Sequence, residues 1–289
     1  MKRLFVIGFS CGVFFWDRVW RLCLRVSGKR APGTCVVLQY HTVPGELRTK
    51  FAHQMDILRR SAIPVRADSH APLAASQHYV VVTFDDGLNS FAENVLPELE
   101  KRNIPAALFV VAGKLGTVPT WTSFAEEATW ASVSHVLPGE RMLTADELRE
   151  ISGKVVIGSH SSTHRMLTEL DKTEARGEIE DSRRQLEAIV GTKVALFSFP
   201  YGEFSKDLLG YCKDAGYDRV FTSLPALALG DPQEFVSGRV QTDPTDSPLE
   251  LRLKMWGCYR WLPHAFSVKR ALFKTLAVRL REAKPVETP

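Results

Sequence analysis

Four short stretches carry residue types that could do chemistry together: Tyr40-His41, Asp85-Asp86-Gly87, His160 with His164 four residues on, and Pro200-Tyr201-Gly202. Two imidazoles and one carboxylate make a ligand set for a divalent ion, and a second carboxylate is left over. Such an ion draws the pKa of water from 15.7 toward about 7, and a nearby aspartate can take the released proton as general base, an effect typically worth about 10²–10⁴-fold. Adjacent residues leaving a strand point in different directions, so Asp85 and Asp86 can divide these two tasks. His160-x-x-x-His164 is not the zincin helix, because Ser161 stands where that motif needs its glutamate. The base must come from elsewhere in the chain, and Asp85 is available. Taken singly, each stretch has a plain structural use, since Asp-Gly makes turns, Pro-Tyr-Gly makes loops and a lone histidine is commonly satisfied by its surroundings. Their joint occurrence is what points to a site.

The elements that must position these residues are apolar runs predicted as strands at 34–41, 79–85, 104–110, 155–159, 193–199, 219–222 and 235–241. Seven such runs separated by helical patterns indicate a parallel α/β sheet, closed or nearly closed into a distorted (β/α) barrel. In a barrel of this kind reactive groups gather where strands end, which is where the four stretches fall. The clearest helix runs over 171–190, with Asp171 and Glu174 as an N-terminal capping pattern and Gly191 as its stop. No Gly-x-Gly-x-x-Gly and no phosphate-loop Gly-Lys-Ser/Thr occurs, which disfavours a nucleotide enzyme. The net charge of +4 is too small to imply nucleic acid. Five scattered cysteines, never in a Cys-x-x-Cys pair, indicate neither a disulfide framework nor a thiolate zinc site. A long loop from Gly113 to Leu143 carries Trp121, Phe124 and Trp130, aromatic faces suited to sugar rings, and Trp121 is the candidate among them.

Both ends are basic and aromatic. Residues 1–30 begin Lys2-Arg3, run through an apolar stretch from Leu4 to Trp16, then place Trp16, Val19, Trp20 and Cys23 at i, i+3, i+4, i+7, opposite Asp17, Arg18, Arg21 and Arg25. That is a basic amphipathic helix, too short in its apolar part to span a bilayer and without a cleavage signal. It either packs its Trp stripe on the domain or lies in a membrane interface, and the adjoining apolar run favours the membrane. The catalytic unit is expected over 31–245. The basic, aromatic stretch 246–289 is read as the last helices covering the barrel, with a second interfacial surface as the alternative.

Through Leu38-Gln39-Tyr40-His41, Thr83-Phe84-Asp85-Asp86-Gly87, Gly158-Ser159-His160-Ser161-Ser162-Thr163-His164 and Phe197-Ser198-Phe199-Pro200-Tyr201-Gly202, the chain resembles the polysaccharide deacetylases of the NodB-homology type, carbohydrate esterase family 4. The resemblance runs from about Val36 to about Gln241. It implies a metal-dependent hydrolase that removes N-acetyl groups from an amino-sugar polymer or its precursor, with zinc as the ion and cobalt or nickel as substitutes. Carried over by position, Asp85 would be the base, Asp86, His160 and His164 the ligands, and the Tyr201 amide, after Pro200, an oxyanion donor.

Two departures stand out. Ser198 occupies the position where many members carry an arginine that tethers the catalytic aspartate. Arg239 on the seventh strand, brought near the first and second by closure of the barrel, is the expected replacement. The late Leu-x-His segment that supplies a general-acid histidine is matched in letters only by Leu262-Pro263-His264, outside the strand pattern. His41 fits that role instead, as in members of the poly-N-acetylglucosamine exopolysaccharide subgroup. The rival readings are a carbohydrate-binding scaffold that has lost catalysis, against which both aspartates and both histidines count, and a related amidase acting on small non-peptide C–N bonds.

Overall fold

A computed structural model describes residues 2–121 and 139–265. In chain order the elements are α1 (Lys2–Val26), β1 (Thr34–Tyr40), α2 (Arg48–Ser61), β2 (Ile63–Pro64), β3 (His78–Phe84), α3 (Leu96–Glu100), β4 (Ala106–Val110), α4 (Ala145–Ile151) and β5 (Val156–Ser159). They continue with α5 (Lys172–Val190), β6 (Leu196–Ser198), α6 (Lys206–Asp214), β7 (Arg219–Phe221), β8 (Val236–Ser237), β9 (Val240–Gln241) and α7 (Pro248–Met255). All pairings between strands are parallel, in the order β8-β7-β6-β5-β4-β3-β1-β9, with β2 beside β3.

The expected seventh strand, 235–241, is two short strands. β8 pairs with β7 at one edge of the sheet and β9 pairs with β1 at the other, so Gly238 and Arg239 carry the chain across the gap and bring the edges together. Glycine is required at this crossing, because a Cβ on Gly238 would meet the Leu224 carbonyl oxygen at 2.3 Å. Arg239 thereby enters the barrel interior, its guanidinium 5.2 Å from the centre of the Phe109 ring.

Alternation along each strand sorts the core into two sets. Cys35 and Val37 of β1, Val81 of β3, Phe109 and Phe221 fill the interior, while Val36, Leu38, Tyr40, Val82 and Phe84 face the surrounding helices. Gln39 and Thr83 continue the inward set. They are polar residues at the end of otherwise apolar strands, and with Asp85 next in period they make the barrel mouth polar. The register keeps the strand ends level, with Tyr40 opposite Phe84 and Val110 opposite Ser159. The predicted helix over 171–190 is α5, where the Asp171 side chain accepts from the Glu174 backbone N–H and Gly191 closes the helix in the left-handed region at φ 72°.

α1 turns its charged side, and not its Trp stripe, toward the barrel. Asp17, Arg18 and Arg21 turn toward the barrel, where Asp17 meets Arg260 at 2.6 Å, Arg18 lies over the Trp256 ring and Arg21 donates to Thr34. The Trp16, Val19, Trp20 and Cys23 stripe faces out, so it does not pack on the described part of the domain. Among the described residues no helix is long and apolar enough to cross a membrane. Residues 248–262 cover the barrel, with Leu251, Met255, Cys258 and Leu262 buried. Phe124, Trp130 and 266–289 lie outside the described residues.

Candidate active site

The loops after β3 and β5 meet at the barrel mouth. Asp86, His160 and His164 are all buried, and one ligand atom from each lies within 4.8 Å of the others. His164 Nε2 stands 3.4 Å and His160 Nε2 3.7 Å from Asp86 Oδ1. These spacings are long for hydrogen bonds but close to the edge of about 3.3 Å that a tetrahedron with bonds of about 2.0–2.1 Å to zinc would have. His160 Nδ1 lies 2.8 Å from the Ser198 carbonyl oxygen and so carries the proton, leaving Nε2 with its lone pair for a ligand.

Backbone geometry builds this cluster. Asp86, Ser161, His164 and Tyr201 all sit in the left-handed region at φ 59–70°, a conformation that non-glycine residues hold only where the surroundings enforce it. Enforcement comes from α5: Glu178 accepts from the Ser162 and Thr163 backbone N–H groups and from the Thr163 hydroxyl, fixing the turn between the two histidines. Gly113 N–H donates to the Ser162 carbonyl from the other side.

Asp85 occupies the inward position. Its Oδ1 accepts from Arg239 Nη1 at 2.7 Å, and its Oδ2 accepts from Arg239 Nη2 and Gln39 Nε2, both at 2.8 Å. Arg239 Nη2 also donates to Ser198 Oγ at 2.7 Å and Nε to the Thr222 carbonyl. The small Ser198 side chain thus admits the guanidinium and accepts from it, where an arginine at that position would collide with it. Burial works against the Asp85 charge, but Arg239 overcomes it and holds the carboxyl well below the usual carboxylate range.

The ligand cluster responds in the opposite sense. Burial, reinforced by the Asp85 charge, pushes Asp86 up to about 8. Burial takes His160 down to about 4 and His164 well below its ordinary value. The imidazoles are therefore neutral donors at neutral pH, and Asp86 Oδ1 and His164 Nδ1 are buried with no hydrogen-bond partner among the described residues. A carboxylate that resists ionising, two neutral imidazoles and orphaned polar atoms fit a divalent cation, whose charge would stabilise the Asp86 carboxylate.

The remaining candidates surround this cluster. His41 follows β1, half-buried, near enough to Asp85, Arg239 and Asp243 to feel their charges, with burial lowering its pKa. Pro200 is buried, and the Tyr201 ring stands edge-on to His164 at 4.7 Å. Trp121 stacks flat on His164, ring centres 4.4 Å apart, with its Nε1 buried on the Asp86 side. It therefore walls the ligand cluster. His264 lies elsewhere, on a groove with Phe9 and Trp261.

Gln39 and Glu178 were not singled out from the sequence. The signals were there: Gln39 is the one strongly polar residue in Thr34–Tyr40, and Glu178 falls on the Ala175, Ile179, Ser182, Leu186 face of α5 that packs inward.

A parallel α/β barrel whose mouth holds an Asp-His-His ligand set beside an arginine-held carboxylate defines a class of hydrolase. Residues 73–220, 148 of the 289, match the family model for polysaccharide deacetylase, and the chain belongs to that family. It is accordingly a carbohydrate deacetylase, acting on C–N bonds other than peptide bonds. His41 and Arg239 lie outside the matched residues. YxkH of Bacillus subtilis, a polysaccharide deacetylase homologue, is 23% identical over 225 residues, covering 74% of this chain and 73% of its own. The structure of IcaB from Ammonifex degensii is 25% identical, with a TM-score of 0.60 over 78% of this chain and 98% of that one. The Streptococcus pyogenes deacetylase PplD, solved with acetate, shares the fold at a TM-score of 0.61, with 18% identity, 78% of this chain and 99% of its own covered.

Proposed function

We propose that this chain removes N-acetyl groups from an exopolysaccharide of amino sugars, releasing acetate, with zinc as its ion and cobalt or nickel as substitutes, at a membrane surface. The observation that carries the chemistry is the double hold of Arg239 on Asp85 directly beside Asp86, His160 and His164. The place of His41 directly after β1, as the resemblance to the poly-N-acetylglucosamine subgroup implies, supports the exopolysaccharide assignment. The outward apolar stripe of α1 supports the membrane setting.

Asp86, His160 and His164 would hold the cation, which when bound supplies Lewis acidity and lowers the pKa of water. Asp85 takes the proton from the attacking water, its carboxylate lying beside the ligand cluster with Oδ2 4.0 Å from His160 Nε2. Arg239 keeps that carboxylate ionised and in one orientation, trading some basicity for placement. The Tyr201 backbone N–H, presented by the strained Pro200-Tyr201-Gly202 turn, donates to the oxygen that becomes negative as the amide carbonyl turns tetrahedral. His41 donates the proton that the leaving amine needs as the C–N bond breaks. Acetate and a free amino sugar result. Pro200 and Trp121 shape the walls against which the acetyl group and ring lie. The test is acetate release from N-acetylglucosamine oligomers by full-length protein, metal-free and reloaded with Zn²⁺, Co²⁺ or Ni²⁺. No release in any of these states refutes the reading.

A further inference from the structure

α1 carries apolar side chains on two faces. Ile7, Cys11, Val13 and Phe14 pack against the core, and Ser10 is buried where Trp261 Nε1 donates to it at 3.1 Å. On the opposite side Phe15 is 70%, Trp16 69% and Trp20 56% exposed, with Phe5, Leu22 and Val26 beside them. Arg3, Asp17, Arg18 and Arg21 engage the protein while the largest apolar groups of the helix face solvent, the reverse of what water selects. The patch continues onto the loop after β7, where Leu224 and Leu227 are exposed. Between that loop and Phe9 and Trp16 runs an open apolar groove of about 920 Å³.

Charge selects the occupant. Arg25, Lys29 and Arg30 are exposed at the far end of this helix and just beyond it, whereas Asp17, the acidic residue of the helix, is turned inward onto Arg260. A second copy of the chain would set this basic fringe against itself. Aromatic and aliphatic groups ringed by arginine and lysine match the boundary between acyl chains and anionic headgroups.

Orientation follows from the attachments of the helix. Its first turn is tied by Arg3 to Asp246 and Glu250, just past the C-terminal end of β9. Its far end is tied by Arg21 to Thr34, at the start of β1. α1 therefore runs down the outside of the barrel, antiparallel to the strands, for about 37 Å at 1.5 Å per residue over 25 residues. We infer that α1 and the Leu224–Leu227 loop dock flat on an anionic lipid surface, laying the barrel on its side with its active-site mouth opening along the membrane plane. This deepens the membrane setting proposed above and is independent of the chemistry at the site. It suits a polymer that lies along or emerges from the same surface.

The experiment is co-sedimentation of full-length protein with vesicles of phosphatidylcholine alone and with about one third phosphatidylglycerol. Wild type should bind both and favour the anionic vesicles. Trp16→Glu with Trp20→Glu should weaken binding to both at least tenfold, and Arg25→Gln and Lys29→Gln should each reduce only the anionic preference, by about fivefold. Each variant should keep wild-type melting behaviour and acetate release from soluble oligomers, which separates failure of docking from failure of the chemistry. Nitroxide labels at Leu4 and Val26 should report equal depth. Failure of wild type to bind either vesicle overturns the inference, as does a solution dimer that the Trp16→Glu, Trp20→Glu variant dissociates. Labels lying at opposite sides of the bilayer refute the flat orientation.

Discussion

Replacing Arg239 tests the link between fold and chemistry most directly. Arg239 and Asp85 are both fully buried, joined by two hydrogen bonds of 2.7 and 2.8 Å. Arg239→Met leaves the Asp85 carboxylate buried without its partner, which for a pair of this kind costs about 3–5 kcal/mol. At roughly 2–4 °C per kcal/mol for a chain of this size, melting should fall by roughly 6–20 °C. The reaction should suffer separately, because a base that wanders out of line loses the roughly 10²–10⁴-fold that positioned proton transfer contributes. Arg239→Lys divides the two effects: a point charge restores part of the stability, but without the planar fork it cannot hold both carboxylate oxygens, so kcat should stay near the Met variant's value. In an Asp85→Asn background, Arg239→Met should cost little further activity, since the two residues act as one unit. The assay is kcat on a soluble oligomer at a temperature where every variant is folded, with metal content measured in parallel. Wild-type kcat in the Lys variant, or full additivity in the double variant, would refute the tether.

Alanine at Asp86, His160 or His164 should abolish stoichiometric Zn²⁺ binding in calorimetry and activity with it, because three protein ligands leave none to spare. With Asp86 protonated up to about 8 in the metal-free protein, Zn²⁺ uptake at pH 7 should release about one proton, and affinity should rise with pH until about 8 and then level off. Buffer-dependent binding enthalpy measures that release. His41→Ala should lower kcat at least tenfold with metal content unchanged if it protonates the leaving amine; an unchanged kcat would remove it from the mechanism. Away from the site, Arg48, Arg102 and Lys101 hold Glu98 down to about 2. A lowered carboxyl pKa contributes stability that is complete above the unfolded value and lost as pH falls through the folded one. Melting should therefore decline as pH drops from about 5 to 2, and Glu98→Gln should remove part of that decline.

The barrel was legible in the sequence because parallel strands buried on both faces read as continuous apolar runs, and six of the seven expected runs coincide with strands in position. The ligand residues were legible because they are chemically conspicuous and fall where those runs stop. The seventh run was not read correctly: Phe235–Gln241 looks like one strand, and only closure of the sheet shows that Gly238 and Arg239 bridge two edges. That crossing aims Arg239 at Asp85 across 154 positions of chain. Local spacing carries no information about such a contact, although the absence of an arginine at Ser198 implied that some group had to take the role. Glu178 and Gln39 escaped notice for a related reason, since each acts through a partner far away in sequence. The two faces of α1 show the division most plainly. Periodicity establishes that the helix is amphipathic, but which side faces the barrel depends on partners such as Arg260, Trp256 and Thr34, and these are assembled only by the folded chain.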